Sequence, residues 1–394
     1  MIYLDHAAAT PVNPKALQAM LPYFAEQFFN PSAPYLPAKR VREAYENAKA
    51  ILAQVIGAKS VDLVMTSGAT ESIQLAFTAA RGKVLISKVE HAAVLETAKQ
   101  FDYGLINVDK AGTIDLDNLR AQLTDEVELV SVALANNELG TIQPLAEIAE
   151  ILREVRLDRR ARGIKTPLFL HSDASQALNL IDISVARLGV DLLTLNAAKV
   201  GGPKGVGALY VAHGVRLKPL QYGGGQERGL RAGTENVPGV IGFAAAAEEA
   251  KAHLAGNRKE YQEMAFALKR ELAHTSIVSQ IGGKVNPVEL KYLGNPKRQL
   301  ANFVPICLPG IDAERLIYKL EQQEIYLSTG AACAANKGSK SHVFASIGLS
   351  DEEIAGSLRI SLGSTNTLEQ MPVVANALAE AVAEELARTR RAHG

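Results

Sequence analysis

The stretch VDLLTLNAAKVGGPKGVGALYVAH (190–213) decides the fold of this chain. Its two apolar runs, VDLLTLN and GALYVAH, are typical of strands in a sheet that is covered on both faces. Lys199 follows the first run directly, and Lys204 lies five residues further on in a glycine-rich turn. We expect Lys204 in solvent, whereas the apolar strand before Lys199 predicts a buried lysine. Because a charged amine is costly to bury, such a lysine is a candidate for chemistry.

Similar apolar runs alternate with helical stretches upstream. The predicted strands are VDLVMTS, KVLISKV, VELVSVALA and TPLFLHSD (61–67, 83–89, 127–135 and 166–173). Between them, 36–57 has apolar residues every three or four positions, which is typical of an amphipathic helix, and 144–163 is a second predicted helix. This alternation predicts right-handed crossovers and a three-layer α/β fold with a mostly parallel sheet.

The alternation stops near residue 255, which suggests two domains. We predict a large α/β domain over 15–255 and a smaller α+β domain over 256–394 together with 1–14. The smaller domain has a predicted strand, ANFVPICL (301–308), and ends in a helix. The segment 282–299 is interpreted as a loop-like insertion.

The composition restricts the class of protein. Lys+Arg and Asp+Glu are both 42, so the net charge is zero, which argues against an extended nucleic-acid-binding face. Two distant cysteines do not form a disulfide framework and favour a reduced, cytoplasmic setting. The start MIYLDHAAAT lacks a signal-peptide pattern, and the uncharged run 236–247 is too short for a membrane span and is predicted to be a buried helix.

Polar residues follow several predicted strands, where ligands bind in parallel α/β sheets. Free backbone N–H groups at the start of a helix suit a phosphate, although the same pattern is also that of a plain helix cap. The other polar residues could equally be structural or belong to a turn. The candidates in chain order are Ser67, Gly68, Ala69, Thr70, Glu90, His91, Asn136, Asn137, Glu138, Asp173 and Gln176.

Taken with Lys199, these residues form a recognisable chemical set. A desolvated lysine amine can form a Schiff base, and Asp173 ends an apolar strand where a carboxylate needs a cationic or hydrogen-bonding partner. Pyridoxal phosphate requires such a lysine, a phosphate site and an acid that keeps its pyridine nitrogen protonated. The set therefore predicts pyridoxal phosphate as the cofactor, with no metal site.

Ten motifs occur in the order found in NifS/IscS-type cysteine desulfurases, which the chain resembles over nearly its whole length. Those enzymes belong to class V of the aminotransferases. The resemblance implies the type I pyridoxal phosphate fold, L-cysteine as substrate and a homodimer. The motifs are YLDHAAATP, FFNPSAP, TSGATES, VEHAAV, NNELGTIQP, SDASQA, GPKGVGALYV, GGGQERGLRAGTENV, STGAAC and LRISLG.

The resemblance implies roles around the cofactor ring. Lys199 matches the Schiff-base lysine, which also removes the substrate Cα proton, and Asp173 matches the partner of the pyridine nitrogen. His91 matches the histidine that stacks on the ring and serves in acid–base steps. Gln176 matches the group that faces the phenolic oxygen of the ring.

The resemblance also implies how the phosphate and the substrate are held. Ala69 and Thr70 match the phosphate cradle, and Thr234 matches a threonine that reaches the phosphate of the other subunit. Asn137 matches an asparagine near the cofactor and the substrate carboxylate, and Arg359 matches the arginine that binds this carboxylate. A guanidinium suits that task because it can bind a carboxylate through two parallel hydrogen bonds.

The two cysteines are expected to differ. Cys333, in the small-residue stretch STGAAC, matches the nucleophile that takes sulfur from the substrate and becomes a persulfide for delivery to a sulfur-acceptor protein. Lys337 and Lys340 are hypothesised to favour its thiolate, because nearby cations lower a cysteine pKa. Cys307 lies in an apolar run and is predicted to be a small buried hydrophobe.

Three departures from the family pattern stand out. The stretch before the lysine reads NAAK, so Asn196 is expected to replace a serine on the phosphate, and Ala198 replaces a histidine that donates to it. Weaker cofactor binding, or compensation by another group, is expected. The segment NPSAPYLPA (30–38) lacks the usual histidine, and only 35 residues follow Arg359, so the usual scaffold acceptor cannot be assumed.

Two alternatives remain from the residues. A selenocysteine lyase would use a similar site, and its reaction need not require the thiol. A non-catalytic paralogue that acts as a regulatory subunit would fit the lost histidine before Lys199, but the joint presence of the predicted cofactor and substrate residues argues against it.

Overall fold

The computed structural model describes residues 1–275, 289–329 and 340–393, with side chains described as far as Arg388. Its strands are β1 (Ile2–Tyr3), β2 (Leu63–Thr66), β3 (Lys83–Ser87), β4 (Tyr103–Ile106), β5 (Val127–Ser131), β6 (Phe169–Asp173), β7 (Leu192–Asn196), β8 (Gly207–Val211), β9 (Lys291–Tyr292), β10 (Phe303–Cys307), β11 (Ile325–Tyr326), β12 (Ser328–Thr329) and β13 (Ser357–Ser361). Its α-helices are α1 (Pro14–Met20), α2 (Pro22–Ala25), α3 (Leu36–Val55), α4 (Ala69–Phe77), α5 (Ala92–Ala98), α6 (Leu116–Gln122), α7 (Leu145–Ala161), α8 (Val185–Leu188), α9 (Val237–Ala252), α10 (Leu254–His274), α11 (Ala313–Glu321), α12 (His342–Ser346), α13 (Asp351–Ala355) and α14 (Gln370–His393).

The central sheet has the strand order β2-β8-β7-β6-β5-β3-β4. Its strands from β7 to β4 pair in parallel, and β8 runs antiparallel to both β2 and β7. The mostly parallel α/β fold is therefore confirmed. The sequence analysis missed β4 because this edge strand is half exposed, with Tyr103 and Leu105 in solvent, and lacks an apolar run.

Helices cover the sheet on both faces. On one face α9 packs against α1 and α3, and on the other face α4 lies against β7 and β8. The predicted buried helix at 236–247 is confirmed as α9, which is apolar around most of its circumference and begins after Asn236, whose side chain accepts a hydrogen bond from Gly239 N. Within the described ranges, every helix is too short or too polar to span a bilayer.

A second sheet, with strand order β12-β13-β10-β9, carries the smaller core. Its buried apolar cluster extends from Tyr261 to Val382 and includes Leu4 and Ala7 near the N-terminus. The chain start joins this part because β1 pairs in parallel with β11. The predicted division into 15–255 and 256–394 with 1–14 stays a prediction.

The prediction of a loop-like insertion at 282–299 is partly wrong. Residues 282–288 lie outside the described ranges, but Lys291 and Tyr292 form β9, which pairs antiparallel with β10. Gln299 also forms an isolated bridge with Thr141 of the large part. A two-residue edge strand has too few positions to show a period in the sequence.

Candidate active site

A cavity of about 740 Å³ opens beyond the carboxyl ends of β6 and β7. Its volume is in the range of small-molecule sites. Twelve of the predicted site residues line it, namely Ser67, Gly68, Ala69, Thr70, His91, Asn137, Glu138, Asp173, Gln176, Asn196, Lys199 and Arg359. Thr234 does not line this cavity, and Cys333 lies outside the described residues.

Lys199 enters the cavity from a single 3-10 turn, Ala197–Lys199, that follows β7. Its Nζ donates to the carbonyl oxygen of Ala7 at 2.8 Å and to that of Ala8. The side chain is half buried rather than buried, because it leaves the apolar strand and reaches into an open cavity. Lys204 is exposed, as expected, and donates to Thr10 O at 2.6 Å.

Asp173 is the last residue of β6, and its carboxylate is buried, with 8% of the residue exposed. Its Oδ1 accepts hydrogen bonds from the backbone N and the Oγ of Ser175, at 2.9 and 2.6 Å. Gln176 donates from Nε2 to Ala7 O at 3.0 Å, the same oxygen that accepts from Lys199. The backbone of Ala7 therefore fixes two of the predicted site residues at once.

His91 caps the N-terminus of α5, and its Nδ1 accepts a hydrogen bond from Ala93 N at 3.1 Å. An acceptor at Nδ1 leaves the proton of the neutral ring on Nε2. Burial lowers the pKa of His91, and the nearby cationic side chains of Lys199 and Arg359 lower it further, whereas Asp173 raises it. These effects favour the neutral ring, whose Nε2–H is left to donate to a ligand.

The end of the cavity that is predicted to hold a phosphate, called the phosphate end below, comprises Gly68–Thr70, Asn196 and Ala198. Gly68 precedes α4 with φ of 152°, a conformation that favours glycine, and the backbone N–H groups of Ala69 and Thr70 have no acceptor among the described residues. These groups and the helix dipole suit an anion. Asn196 accepts from Ala198 N at 3.1 Å through Oδ1, so only its side-chain NH₂ is left for a phosphate.

The end that is predicted to bind the substrate carboxylate, called the carboxylate end below, comprises Asp5, Asn137 and Arg359. The Arg359 guanidinium, from β13, is buried, with 3% of the residue exposed. Its Nη2 donates to Asp5 Oδ1 at 2.7 Å, its Nη1 donates to Asn137 O at 3.1 Å, and its Nε has no hydrogen-bond partner among the described residues. The guanidinium keeps N–H groups available for a carboxylate ligand.

Two buried carboxyl groups lie beside the cavity. Burial raises the pKa of Glu90 to about 8 and that of Glu138 to about 7. Glu138 Oε2 accepts from Ser341 Oγ at 2.5 Å, and the Glu90 carbonyl oxygen lies 2.8 Å from His342 Nε2. These contacts attach residues 341–342, which follow the cysteine segment in sequence, to the wall of the cavity.

Two lysines are hypothesised to favour the Cys333 thiolate, and the structure describes one of them. Lys337 lies outside the described residues, and Lys340 pairs with Asp351 at 2.5 Å, an exposed contact that offsets its charge. Cys307 is confirmed as buried, with its Sγ donating to Glu353 O at 3.2 Å, and burial raises its thiol pKa.

The segment around Thr234 is held firmly by a buried acid. Glu227 accepts from Tyr45 Oη at 2.5 Å, from Lys49 Nζ at 2.9 Å and from Met65 N at 2.9 Å. Its own φ is 47°, an uncommon conformation for a residue with a side chain. Thr234 itself is exposed and lines a smaller, neighbouring cavity of about 140 Å³.

The sequence analysis did not identify the N-terminal segment as part of the site. Asp5 pairs with Arg359, and the carbonyls of Ala7 and Ala8 hold Lys199. The aspartate in the apolar start MIYLDHAAAT was the available signal. Glu71 was also missed, although it lines the phosphate end.

The donor set of the cavity fits pyridoxal phosphate. It combines a lysine amine, a buried carboxylate, and N–H groups at the start of α4 and at the buried Arg359 Nε that have no acceptor within the described ranges. An amine, an acid and a phosphate cradle are the three groups that this cofactor needs.

Comparison with known proteins agrees with this fit. The model of the family described as aminotransferase class-V matches residues 2–374. The chain is 40% identical over 384 residues to "Cysteine desulfurase IscS 1" of Archaeoglobus fulgidus, with 94% of each chain covered.

Solved structures are similar over most of the chain. A NifS-like protein has a TM-score of 0.85 at 30% identity, with 97% of this chain and 99% of that chain covered. A structure titled "SspA in complex with cysteine" has a TM-score of 0.77 at 30% identity, with coverage of 92% and 99%. These likenesses confirm the predicted type I fold. The chain therefore belongs to the class-V aminotransferase family and, within it, to the pyridoxal-phosphate-dependent NifS/IscS-type cysteine desulfurases.

Proposed function

We propose that this chain is a cysteine desulfurase that converts L-cysteine to L-alanine and leaves a persulfide on Cys333. The observation that carries the proposal is one cavity lined by the amine of Lys199, the buried carboxylate of Asp173 and the buried guanidinium of Arg359. The names of similar proteins, a cysteine desulfurase and a complex with cysteine, support the same activity.

The reaction balances without an outside oxidant or reductant. The Cβ–S bond of L-cysteine breaks, an S–S bond forms at the Cys333 sulfur, and the carbon skeleton leaves as L-alanine. L-Cysteine plus a thiol thus equals L-alanine plus a persulfide.

The cofactor, when bound, supplies an aldehyde that joins an amine and a ring that withdraws electrons from the substrate. Lys199 is assigned to the aldehyde, and Asp173, oriented by Ser175, to the ring nitrogen. Ala69 and Thr70 are assigned to the phosphate, because their N–H groups lack acceptors among the described residues.

Proton transfer is assigned to two side chains. Lys199 takes the proton from the substrate Cα, since its amine lies in the cavity at the end of β7. His91 serves in the acid–base steps as a hydrogen-bond donor at Nε2, because its Nδ1 accepts from Ala93 N and the neutral ring carries its proton on Nε2.

Substrate orientation is assigned to the carboxylate end. Arg359 binds the substrate carboxylate, and the hydrogen bonds to Asp5 and to the Asn137 carbonyl hold its guanidinium in one orientation. This contact fixes the amino acid at the end of the cavity opposite the phosphate cradle.

The homodimer is part of the proposal because Thr234 does not reach its own cavity. Several aromatic and aliphatic side chains near residues 24–36 are exposed, including Phe24, Phe28 and Leu36 at 61%, 66% and 62%. Arg42 joins this patch to the Thr234 segment by donating to Pro31 O and pairing with Glu235 at 3.0 Å. An apolar patch of this kind is typical of a protein interface.

The sulfur acceptor is proposed to be a protein, either an iron–sulfur scaffold or a carrier for tRNA thiolation. The cytoplasmic location favoured by the cysteine content stays a prediction.

The activity is tested with purified protein, L-cysteine and dithiothreitol, by measuring alanine and sulfide. Cys333→Ala is expected to lose sulfide release, whereas Cys307→Ala, its buried counterpart, is expected to keep it. Full sulfide release by Cys333→Ala would contradict the proposal. Selenocysteine is assayed in parallel, and preferential turnover of selenocysteine without Cys333 would favour a selenocysteine lyase instead.

A further inference from the structure

An acidic side chain lies at the phosphate end of the cavity. Glu71 is the third residue of α4 and lines the cavity. Its Oε2 accepts a hydrogen bond from Ser67 N at 2.6 Å, just before the start of the helix. Its Oε1 accepts from Arg231 Nε at 3.1 Å, and both side chains are mostly buried, with 13% and 23% exposed.

Such a carboxylate opposes the binding of a phosphate. The start of α4 attracts anions through its free N–H groups and its dipole, but a second negative charge there repels a phosphate dianion. The repulsion is screened less than at a surface because Glu71 is mostly buried. The cradle therefore needs a cation that neutralises Glu71.

Among the residues that the structure describes at this end, the other groups do not supply the cation. Asn196 and Ala198 are uncharged, and the Lys199 amine is directed to the carbonyls of Ala7 and Ala8. Arg231 is held in place by a backbone bridge to Gln221, and it lies three residues before Thr234.

We propose that Arg231 is a positioning residue for the cofactor phosphate, acting through Glu71. Arg231 neutralises the Glu71 carboxylate and holds it against Ser67 N, so that the first N–H groups of α4 donate to the phosphate without repulsion from Glu71. This inference rests on the proposed phosphate cradle. It also identifies a group that compensates for the uncharged Ala198.

The test measures the affinity of the cofactor-free protein for pyridoxal phosphate and for pyridoxal, by equilibrium dialysis. Arg231→Gln is expected to bind pyridoxal phosphate about tenfold more weakly, equivalent to about 1.4 kcal/mol. Its affinity for pyridoxal, which lacks the phosphate, is expected to stay unchanged. Glu71→Gln/Arg231→Gln is expected to regain most of the lost affinity, because the repelling charge is gone. Arg228→Gln, at an exposed arginine of the same segment, is the matched control and is expected to bind like the wild type.

Three results would overturn the inference. Equal losses for the two ligands would indicate a structural role for Arg231. Unchanged binding in Arg231→Gln would make the ion pair irrelevant. A double variant as weak as Arg231→Gln would indicate that Arg231 does not act through Glu71. Failure of the wild type to bind pyridoxal phosphate would instead contradict the proposed cofactor site itself.

Discussion

At the phosphate end of the cavity, the groups available to a ligand are mostly backbone N–H groups at the start of α4. At the carboxylate end, the available group is the buried guanidinium of Arg359, paired with Asp5. The first set comes from one strand–helix junction. The second joins residues 354 positions apart in the chain.

This difference predicts that the two ends of the cavity respond to different kinds of substitution. A backbone cradle depends on close approach of chain segments, so it should respond to an added Cβ atom. A buried ion pair depends on charge, so it should respond to the loss of either partner. Substitutions can therefore separate binding of the cofactor from binding of the substrate.

The largest effect is expected at the carboxylate end. Arg359→Gln should lower kcat/KM for L-cysteine by about 100-fold or more, because it removes a charged hydrogen-bond donor and leaves the partly buried Asp5 without this partner. Affinity for pyridoxal phosphate should change little. Steady-state kinetics and cofactor dialysis measure the two quantities.

The matched control for this variant is Arg298→Gln, which removes an exposed pair with Glu147 at 3.1 Å. Exposed ion pairs contribute little to stability, so the kinetics of Arg298→Gln should resemble those of the wild type. Equal losses of affinity for pyridoxal phosphate and of kcat/KM for L-cysteine in Arg359→Gln would contradict the assignment of separate roles to the two ends.

A smaller effect is expected from Gly207→Ala at the phosphate end. A Cβ at Gly207 would lie 2.8 Å from the Gly68 Cα and 2.8 Å from the Leu195 carbonyl oxygen. The added methyl should lower the free energy of unfolding by about 1–3 kcal/mol and weaken cofactor binding. Urea unfolding and dialysis are the measurements.

Gly256→Ala provides the control, because a Cβ there has no atom within 4 Å. It lies in α10, so alanine should leave stability unchanged or raise it slightly. Equal free energies of unfolding for Gly207→Ala and Gly256→Ala would show that the close contact with Gly68 does not exclude a Cβ atom at residue 207.

An effect on stability alone is expected at Glu90, which belongs to neither end. Its Oε1 accepts from Ala133 N at 2.7 Å, and its Oε2 has no partner among the described residues. Burial raises its pKa from 4.5 to about 8, so the folded state holds a proton that the unfolded state releases. Its stabilising contribution is full below pH 4.5 and is lost as the pH rises through about 8.

Glu90→Gln should therefore reduce the loss of unfolding free energy between pH 5 and pH 8.5, as measured by urea unfolding. The exposed Glu43→Gln variant should keep the wild-type pH dependence. Identical slopes in all three proteins would mean that Glu90 is ionised in the folded state. Neither Glu90→Gln nor Glu43→Gln should alter the affinity for L-cysteine or for pyridoxal phosphate.

The comparison of the two ends also explains which parts of the site could be predicted from sequence. His91, Asp173 and Lys199 come after short apolar runs, and the carboxyl ends of parallel strands lie at one edge of the sheet. Local patterns therefore predicted that these residues would lie together, and they line one cavity.

Long-range contacts could not be predicted in this way. The Asp5–Arg359 and Glu71–Arg231 pairs depend on how distant segments pack, which no local period encodes. The half-buried position of Lys199 also differs from the prediction, because a strand pattern does not show where a side chain leaves the strand.

The most direct test of the account is the site of cofactor attachment. The purified protein is reduced with borohydride, digested, and its peptides are analysed by mass spectrometry. The added mass of the reduced cofactor is expected on the peptide that contains Lys199. Attachment to Lys204, to another lysine, or to no lysine would contradict the account.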